Sequence, residues 1–301
     1  MPEDGIHYMP KKELLTFEEI TRLGSIMASM GISKIRLTGG EPFVRNDLMQ
    51  LIRSLVEIPG IKDLHLTTNG ILTAQHIPEL KKLGIASVNL SLDTLDKERF
   101  RTITRRDEFD NTFRTLNLLL EHEIPVKMNA VVMDGKNTQD IIPMAALTKE
   151  NNITVRFIEE MPFNGEGKHD ATLLWTHHKI LRHLQEQFPT LHKVSDPQNS
   201  TAYHYKIPGY KGTLGIIAAF SRTFCGSCNR LRVTAQGTLK TCLYDDGVLD
   251  IKHLLRSGTA DEEIKQKLIH AFNHRAKDGF EAEANRKDQQ PAYESMSTIG
   301  G

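Results

Sequence analysis

Lys34-Ile35-Arg36-Leu37-Thr38-Gly39-Gly40-Glu41-Pro42 reads as a short strand delivered into a glycine loop. On an extended chain Ile35 and Leu37 point one way, while Lys34, Arg36 and Thr38 point the other. The two glycines lack the lysine and spacing of a phosphate loop or a dinucleotide fingerprint. They predict a close approach of backbone to ligand, with Glu41 placed to accept from an ammonium group. Upstream, Thr16-Phe17-Glu18-Glu19 is a capping box opening a helix to about Met30, which Gly31 stops. Downstream the chain alternates. A helix is expected over Asp47–Glu57, then strand Leu64–Thr68, helix Gln75–Leu83 and strand Ser87–Leu92. Helix Phe109–Glu121, strand Val126–Val132, helix Thr138–Glu150 and strand Thr154–Ile158 follow. Strands separated by helices predict βαβ units and a parallel sheet or barrel.

The polarity of these strands is informative. Parallel strands covered on both faces are usually apolar throughout. Here Leu64 and Leu66 oppose His65, Thr67 and Asn69; Val88 and Leu90 oppose Asn89 and Ser91; Val126 and Met128 oppose Lys127 and Asn129; Val155 and Phe157 oppose Arg156. The polar face carries cations at Lys34 and Arg36, Lys127 and Arg156. It predicts a lumen that receives a polyanionic, hydrogen-bonding ligand.

From about Gly209 the sequence turns β-rich and delivers all three cysteines, Cys225, Cys228 and Cys242, as C-x2-C-x13-C. Two thiolates three residues apart can grip one metal centre. Cys242 would return to it if Leu231–Thr234 and Leu239–Cys242 pair across a turn. Spacing alone leaves structural zinc and an iron–sulfur cluster both open, and an odd count disfavours a disulfide. Arg230 and Arg232, two apart on a strand, put positive charge beside the array. The histidines at 177, 178, 183, 192 and 204 read as surface residues, and Trp175 as the core of a small helical insertion.

The 301 residues hold 38 basic and 38 acidic side chains, which argues against a nonspecific nucleic-acid or membrane-surface binder. No apolar run is long enough to span a bilayer, and the acidic start is not a signal peptide. A soluble protein of a reducing compartment is expected, cytoplasmic or, in a eukaryote, of the mitochondrial matrix.

Together, Lys34-Ile-Arg-Leu-Thr-Gly-Gly-Glu-Pro42, Thr67-Thr-Asn-Gly70, Asn89-Leu-Ser-Leu-Asp93, Arg156-Phe-Ile-Glu-Glu-Met161, Phe224-Cys-Gly-Ser-Cys-Asn-Arg-Leu-Arg232 and the terminal Gly300-Gly301 resemble the GTP 3′,8-cyclases of molybdenum cofactor biosynthesis. These are radical S-adenosylmethionine enzymes, and the likeness runs along essentially the whole chain.

The resemblance implies an α/β fold: a partial (βα)6 TIM-like barrel over residues 1–208 and a β-rich and helical cluster-bearing region over 209–301. It implies that Cys225, Cys228 and Cys242 hold a [4Fe-4S] cluster whose fourth iron meets the guanine of GTP. Lys34, Arg36, Thr67, Lys127, Arg156, Arg230, Leu231 and Arg232 would contact GTP. Gly40, Glu41, Ser91 and Met161 would contact S-adenosylmethionine. Arg230, Arg232, Gly300 and Gly301 would serve the catalytic centre. The next pathway enzyme would be cyclic pyranopterin monophosphate synthase, and a homodimer is left open. Family members carry a C-x3-C-x2-C triplet just before a Met-Pro-Glu-like sequence, and this chain begins at Met1-Pro2-Glu3. The expectation is therefore that the second [4Fe-4S] cluster, the first barrel strand and turnover belong to a fuller form. The alternatives are a non-catalytic GTP-binding iron–sulfur protein and a structural zinc protein on the same scaffold.

Overall fold

The computed structural model describes residues 10–161 and 173–287. Its elements in chain order are α1 (Phe17–Ser29), β1 (Lys34–Leu37), α2 (Leu48–Val56), β2 (Asp63–Thr68), α3 (Ile77–Lys82), β3 (Ser87–Ser91), α4 (Lys97–Thr104), α5 (Phe109–Glu121), β4 (Val126–Val132), α6 (Ile141–Ala146) and β5 (Thr154–Glu159). There follow α7 (His177–Gln187), β6 (His192–Lys193), β7 (Tyr203–Lys206), β8 (Thr213–Ile217), β9 (Arg232–Val233), β10 (Thr238–Lys240), β11 (Leu249–Asp250), α8 (Ile251–Arg256), α9 (Asp261–Asn273) and α10 (Gly279–Ala284). Two compact units emerge, one of residues 66–161 with 173–228 and one of residues 10–65 with 229–287.

The first unit is a sheet in the order β2-β3-β4-β5-β8-β7-β6. Strands β3, β4, β5 and β8 pair in parallel, and β7 and β6 extend the sheet antiparallel. The run around Leu214–Ile217, within the segment 209–301, is thus a central parallel strand beside β5. The alternation along β4 is real: Val126, Met128, Ala130 and Val132 are buried, and Lys127, Asn129 and Val131 are half-buried. Leu66, Val88, Leu90, Met128, Val155, Phe157 and Leu214 are 0 % exposed, so the apolar side of the sheet is sealed. Burying side chains of this size contributes about 1.5–3 kcal/mol each, which offsets the entropy of ordering the strands.

The loop after β2 is fixed by its sequence. Gly70 lies at φ +82° and a Cβ there would stand 2.7 Å from Leu90 Cδ1. Thr68 Oγ1 accepts from Gly70 N at 2.9 Å, and the Thr115 hydroxyl donates to Gly70 O at 2.6 Å. Asp96 caps α4 by accepting from Arg99 N at 2.7 Å. The expected helices around α3 and α6 are shorter, each entered through a 3-10 turn at Ala74–His76 and Thr138–Asp140.

The second unit joins the two ends of the chain. Both arms of the capping box at Thr16 and Glu19 are made, at 2.7 and 3.2 Å. Leu15, Leu23 and Ile26 pack with Leu239, Ile251, Leu255, Ile264 and Leu268 in one core. Arg22 ties α1 to Asp261 and to the carbonyls of Leu255 and Thr259; Arg256 returns to Glu19 and to the carbonyls of Lys12 and Leu14. The expected hairpin is present: Leu239 faces Val233 and Lys240 faces Arg232. In the same unit β1 lies beside the start of β2, where Lys62 N and Asp63 N donate to Ser33 O at 2.8 and 3.1 Å.

Candidate active site

In the first unit the register lines polar side chains along one face of the sheet. Asn89 stands opposite Lys127 and then Thr154 and Thr213; Ser91 stands opposite Asn129, then Arg156 and Gly215. Two residues of this face are deeply buried, Asn89 at 3 % and Arg156 at 8 % exposure, while Ser91 at its end is exposed. Asn89 Nδ2 donates to Thr67 Oγ1 at 3.3 Å, bringing in a fourth predicted position beside Lys127, Ser91 and Arg156. Among the described residues, Asn89 Oδ1 and Asn129 Oδ1 are buried with no protein donor. A buried acceptor without a partner is costly, so these two oxygens suit a ligand that carries donors.

Asp93 follows Ser91 at the end of β3. Its Oδ1 accepts from Val131 N at 2.8 Å, and Asn137 Nδ2 bridges the carbonyls of Asp93 and Val131. Burial pushes the Asp93 carboxyl up to about 6, against the lowering effect of the Val131 hydrogen bond.

Glu159, at the end of β5, is the residue that sequence reasoning missed. It is 0 % exposed and accepts from His177 N at 2.7 Å, Ser221 N at 2.8 Å and the Ser221 hydroxyl at 2.9 Å, with His177 Nδ1 at 3.0 Å. It joins the end of β5 to the start of α7 and to the segment entering the cysteine turn. The side chain of His177 is 15 % exposed and that of His204 is 19 %, so neither is the surface residue that the local polarity suggested. Trp175 is half-buried just before α7, with its Nε1 donating to Asp134 at 2.7 Å.

Cys225 and Cys228 bracket a one-turn 3-10 helix, with Cys228 N donating to Cys225 O at 3.1 Å. Cys242, in the second unit, follows β10, and its N–H donates to Asp245 Oδ2 at 2.8 Å. Asp245 also accepts from Thr241 N, the Thr241 hydroxyl and Gly247 N, at 2.8, 3.1 and 3.0 Å. None of the three cysteines is in a disulfide and all are half-buried. Among the described residues no three His, Cys, Asp or Glu side chains are gathered as a metal site. Three soft thiols, two of them on a single turn, are donors of the kind that zinc and iron–sulfur centres both use.

The second unit also concentrates positive charge. Arg36 on β1 is exposed as a residue, yet limited access of water to its guanidinium, reinforced by repulsion from Arg230 and Arg232, pulls it down to about 10. It is still charged at neutral pH. Lys240, 2 % exposed, faces Arg232 across the hairpin. The two cations add to the positive charge of this unit. Lys34 stands apart, 3.4 Å from Asp63 in an exposed pair. Glu41 accepts from Phe43 N at 3.2 Å and caps its own turn, just after exposed Gly40. Leu231 and Met161 are half-buried; Gly300 and Gly301 lie outside the described residues.

The Radical SAM superfamily model matches residues 3–148 and the Molybdenum Cofactor Synthesis C model matches residues 153–281. A GTP 3′,8-cyclase of Desulforamulus reducens is 38% identical over 303 residues, which cover 100% of this chain and 92% of that protein. The chain belongs to the GTP 3′,8-cyclase family of radical SAM proteins. Molybdenum cofactor biosynthesis protein moc-5 of Caenorhabditis elegans is 35% identical over 303 residues, which cover 100% of this chain. The chain spans 50% of that relative, about half its length. The solved structure of Streptococcus suis SuiB superposes with a TM-score of 0.58 at 14% identity, over 93% of this chain and 70% of that one, and supports the radical SAM fold. No helix among the described residues is long and apolar enough to cross a membrane.

Proposed function

We propose that this chain serves the first step of molybdenum cofactor synthesis as a GTP 3′,8-cyclase, converting GTP to (8S)-3′,8-cyclo-7,8-dihydroguanosine 5′-triphosphate. The observation that carries the reading is the gathering of Arg36, Arg230 and Arg232, whose repulsion adds to burial in lowering Arg36 to about 10. Three guanidiniums in one place attract a multiply charged anion, and a triphosphate is one. The buried acceptors of Asn89 and Asn129 and the cations Lys127 and Arg156 would contribute hydrogen bonds and charge. Holding the triphosphate limits the nucleotide to one pose, so the ribose and base meet as an intramolecular pair.

Cys225, Cys228 and Cys242 would hold a [4Fe-4S] cluster with one iron left to the guanine, while Gly40, Glu41, Ser91 and Met161 would hold S-adenosylmethionine. When bound, these groups supply the one-electron chemistry that removes hydrogen from the ribose C3′ and closes the ring onto C8. The protein's own work is to bind, orient and exclude water. The 301 residues contain three cysteines, all in this array, so the family's S-adenosylmethionine-cleaving triplet is not among them. Cyclic pyranopterin monophosphate synthase would consume the product.

The test is an anaerobic incubation with GTP, S-adenosylmethionine and a strong reductant. It compares these residues alone with the same residues joined to a C-x3-C-x2-C segment. GTP should disappear into an isomer of equal mass, with 5′-deoxyadenosine formed, only in the joined form. GTP binding with no product in either form would favour a non-catalytic GTP-binding protein. Zinc in place of iron and sulfide would sink the cluster assignment.

A further inference from the structure

We propose that Gly215 places Arg156 on the polar face of the first unit's sheet and so sets how strongly that face holds a phosphate-bearing ligand. The proposal rests on the GTP reading above and adds a positioning residue to it. Gly215 is buried inside β8, between Arg156 of β5 and His204 of β7. Glycine within a strand loses more backbone entropy than other residues and packs nothing, so a central parallel strand is an unfavourable place for it. Its backbone is not left-handed, so conformational need does not explain it.

Space does. A Cβ at position 215 would stand 2.9 Å from Arg156 Cγ, 3.5 Å from Arg156 Cδ and 3.5 Å from Ala202 Cβ. The arginine methylenes therefore occupy the volume that any other residue would fill. Cγ lies near the root of the side chain, so the clash cannot be relieved by a twist at the guanidinium end; the first torsions must change. Strand β8 lies on the opposite side of β5 from β4. Leaning over Gly215 thus carries Arg156 away from Lys127 on β4 and keeps two cations of one face separated. A side chain at 215 would turn Arg156 out of that position, toward Asn129 and the strand that carries Lys127.

The experiment is a double-mutant cycle of Gly215→Ala and Arg156→Ala in the holoenzyme, read as GTP dissociation constant and as thermal midpoint. Gly215→Ala alone should weaken GTP about tenfold, the scale of one charge-assisted hydrogen bond, and lower the midpoint. In the Arg156→Ala background it should do neither, because the methylenes it would meet are gone. Should Gly215→Ala alone fail to fold, recovery of folding in the double variant supports the proposal and failure of both overturns it. Equal weakening in both backgrounds, or a lower midpoint with unchanged GTP affinity, overturns it as well. If the parent shows no saturable GTP binding, the functional reading falls and takes the phosphate role of Gly215 with it. The thermal cycle would still decide whether the two residues share that space.

Discussion

Asp93→Asn should make the protein more stable at neutral pH. Asp93 is half-buried just past the end of β3, with Val131 N donating to its carboxylate at 2.8 Å, and burial raises it from 3.8 to about 6. A folded value above the unfolded one means that, between the two, the native state binds more protons than the unfolded state. Stability is then lost as pH rises through that window. The rise from 3.8 to about 6, at about 1.4 kcal/mol per pH unit, makes the ionised group cost about 3 kcal/mol at pH 8. Roughly half of that is lost between pH 5 and pH 8 by the same linkage. Asparagine keeps an oxygen for Val131 N but brings an amide that needs its own acceptor, an error of about 1 kcal/mol that does not vary with pH. The assay is urea unfolding of parent and variant at pH 5 and pH 8. The variant's advantage should grow by about 1.5 kcal/mol between the two pH values. A difference that stays flat, or shrinks as pH rises, would refute the reasoning.

Arg36→Gln should relieve the repulsion among Arg36, Arg230 and Arg232, leaving the fold no less stable while GTP binding weakens about tenfold; calorimetric titration with parallel thermal melts separates the two effects. Gly70→Ala should destabilise by about 2–3 kcal/mol, because φ +82° and a 2.7 Å approach to Leu90 both oppose a Cβ, and chemical denaturation reads this directly. Asp245→Asn should loosen the turn that presents Cys242, since one carboxylate accepts from Thr241, Cys242 and Gly247; less iron should be retained per chain at unchanged helical content.

The fold was legible where its signals are local. The strands around Val126 and Thr154 and the capping box at Thr16 depend on neighbours a few residues away, and they fall where periodicity puts them. The cysteine hairpin was legible because turn residues separate two short alternating runs. Strand β8 was not assigned to the barrel, since an apolar run reveals a strand but not that its partner is β5. Helix α7 is amphipathic, with Ile180 and Leu184 fully buried, but its histidines read as surface residues because their partners lie far away in sequence. The cationic face was visible as a composition of strands. Glu159 was hidden because its meaning lies in His177 and Ser221, which only the fold brings to it. Lys240 was hidden likewise: a lysine on a strand is unremarked until register sets it opposite Arg232.

The most direct test of the account is the iron and acid-labile sulfide content of the anaerobically reconstituted 301-residue chain, with electron paramagnetic resonance before and after GTP. The account predicts one four-iron four-sulfur cluster that is lost in Cys242→Ser and whose spectrum shifts on adding GTP. Zinc in its place, or a cluster spectrum that GTP leaves untouched, would contradict it.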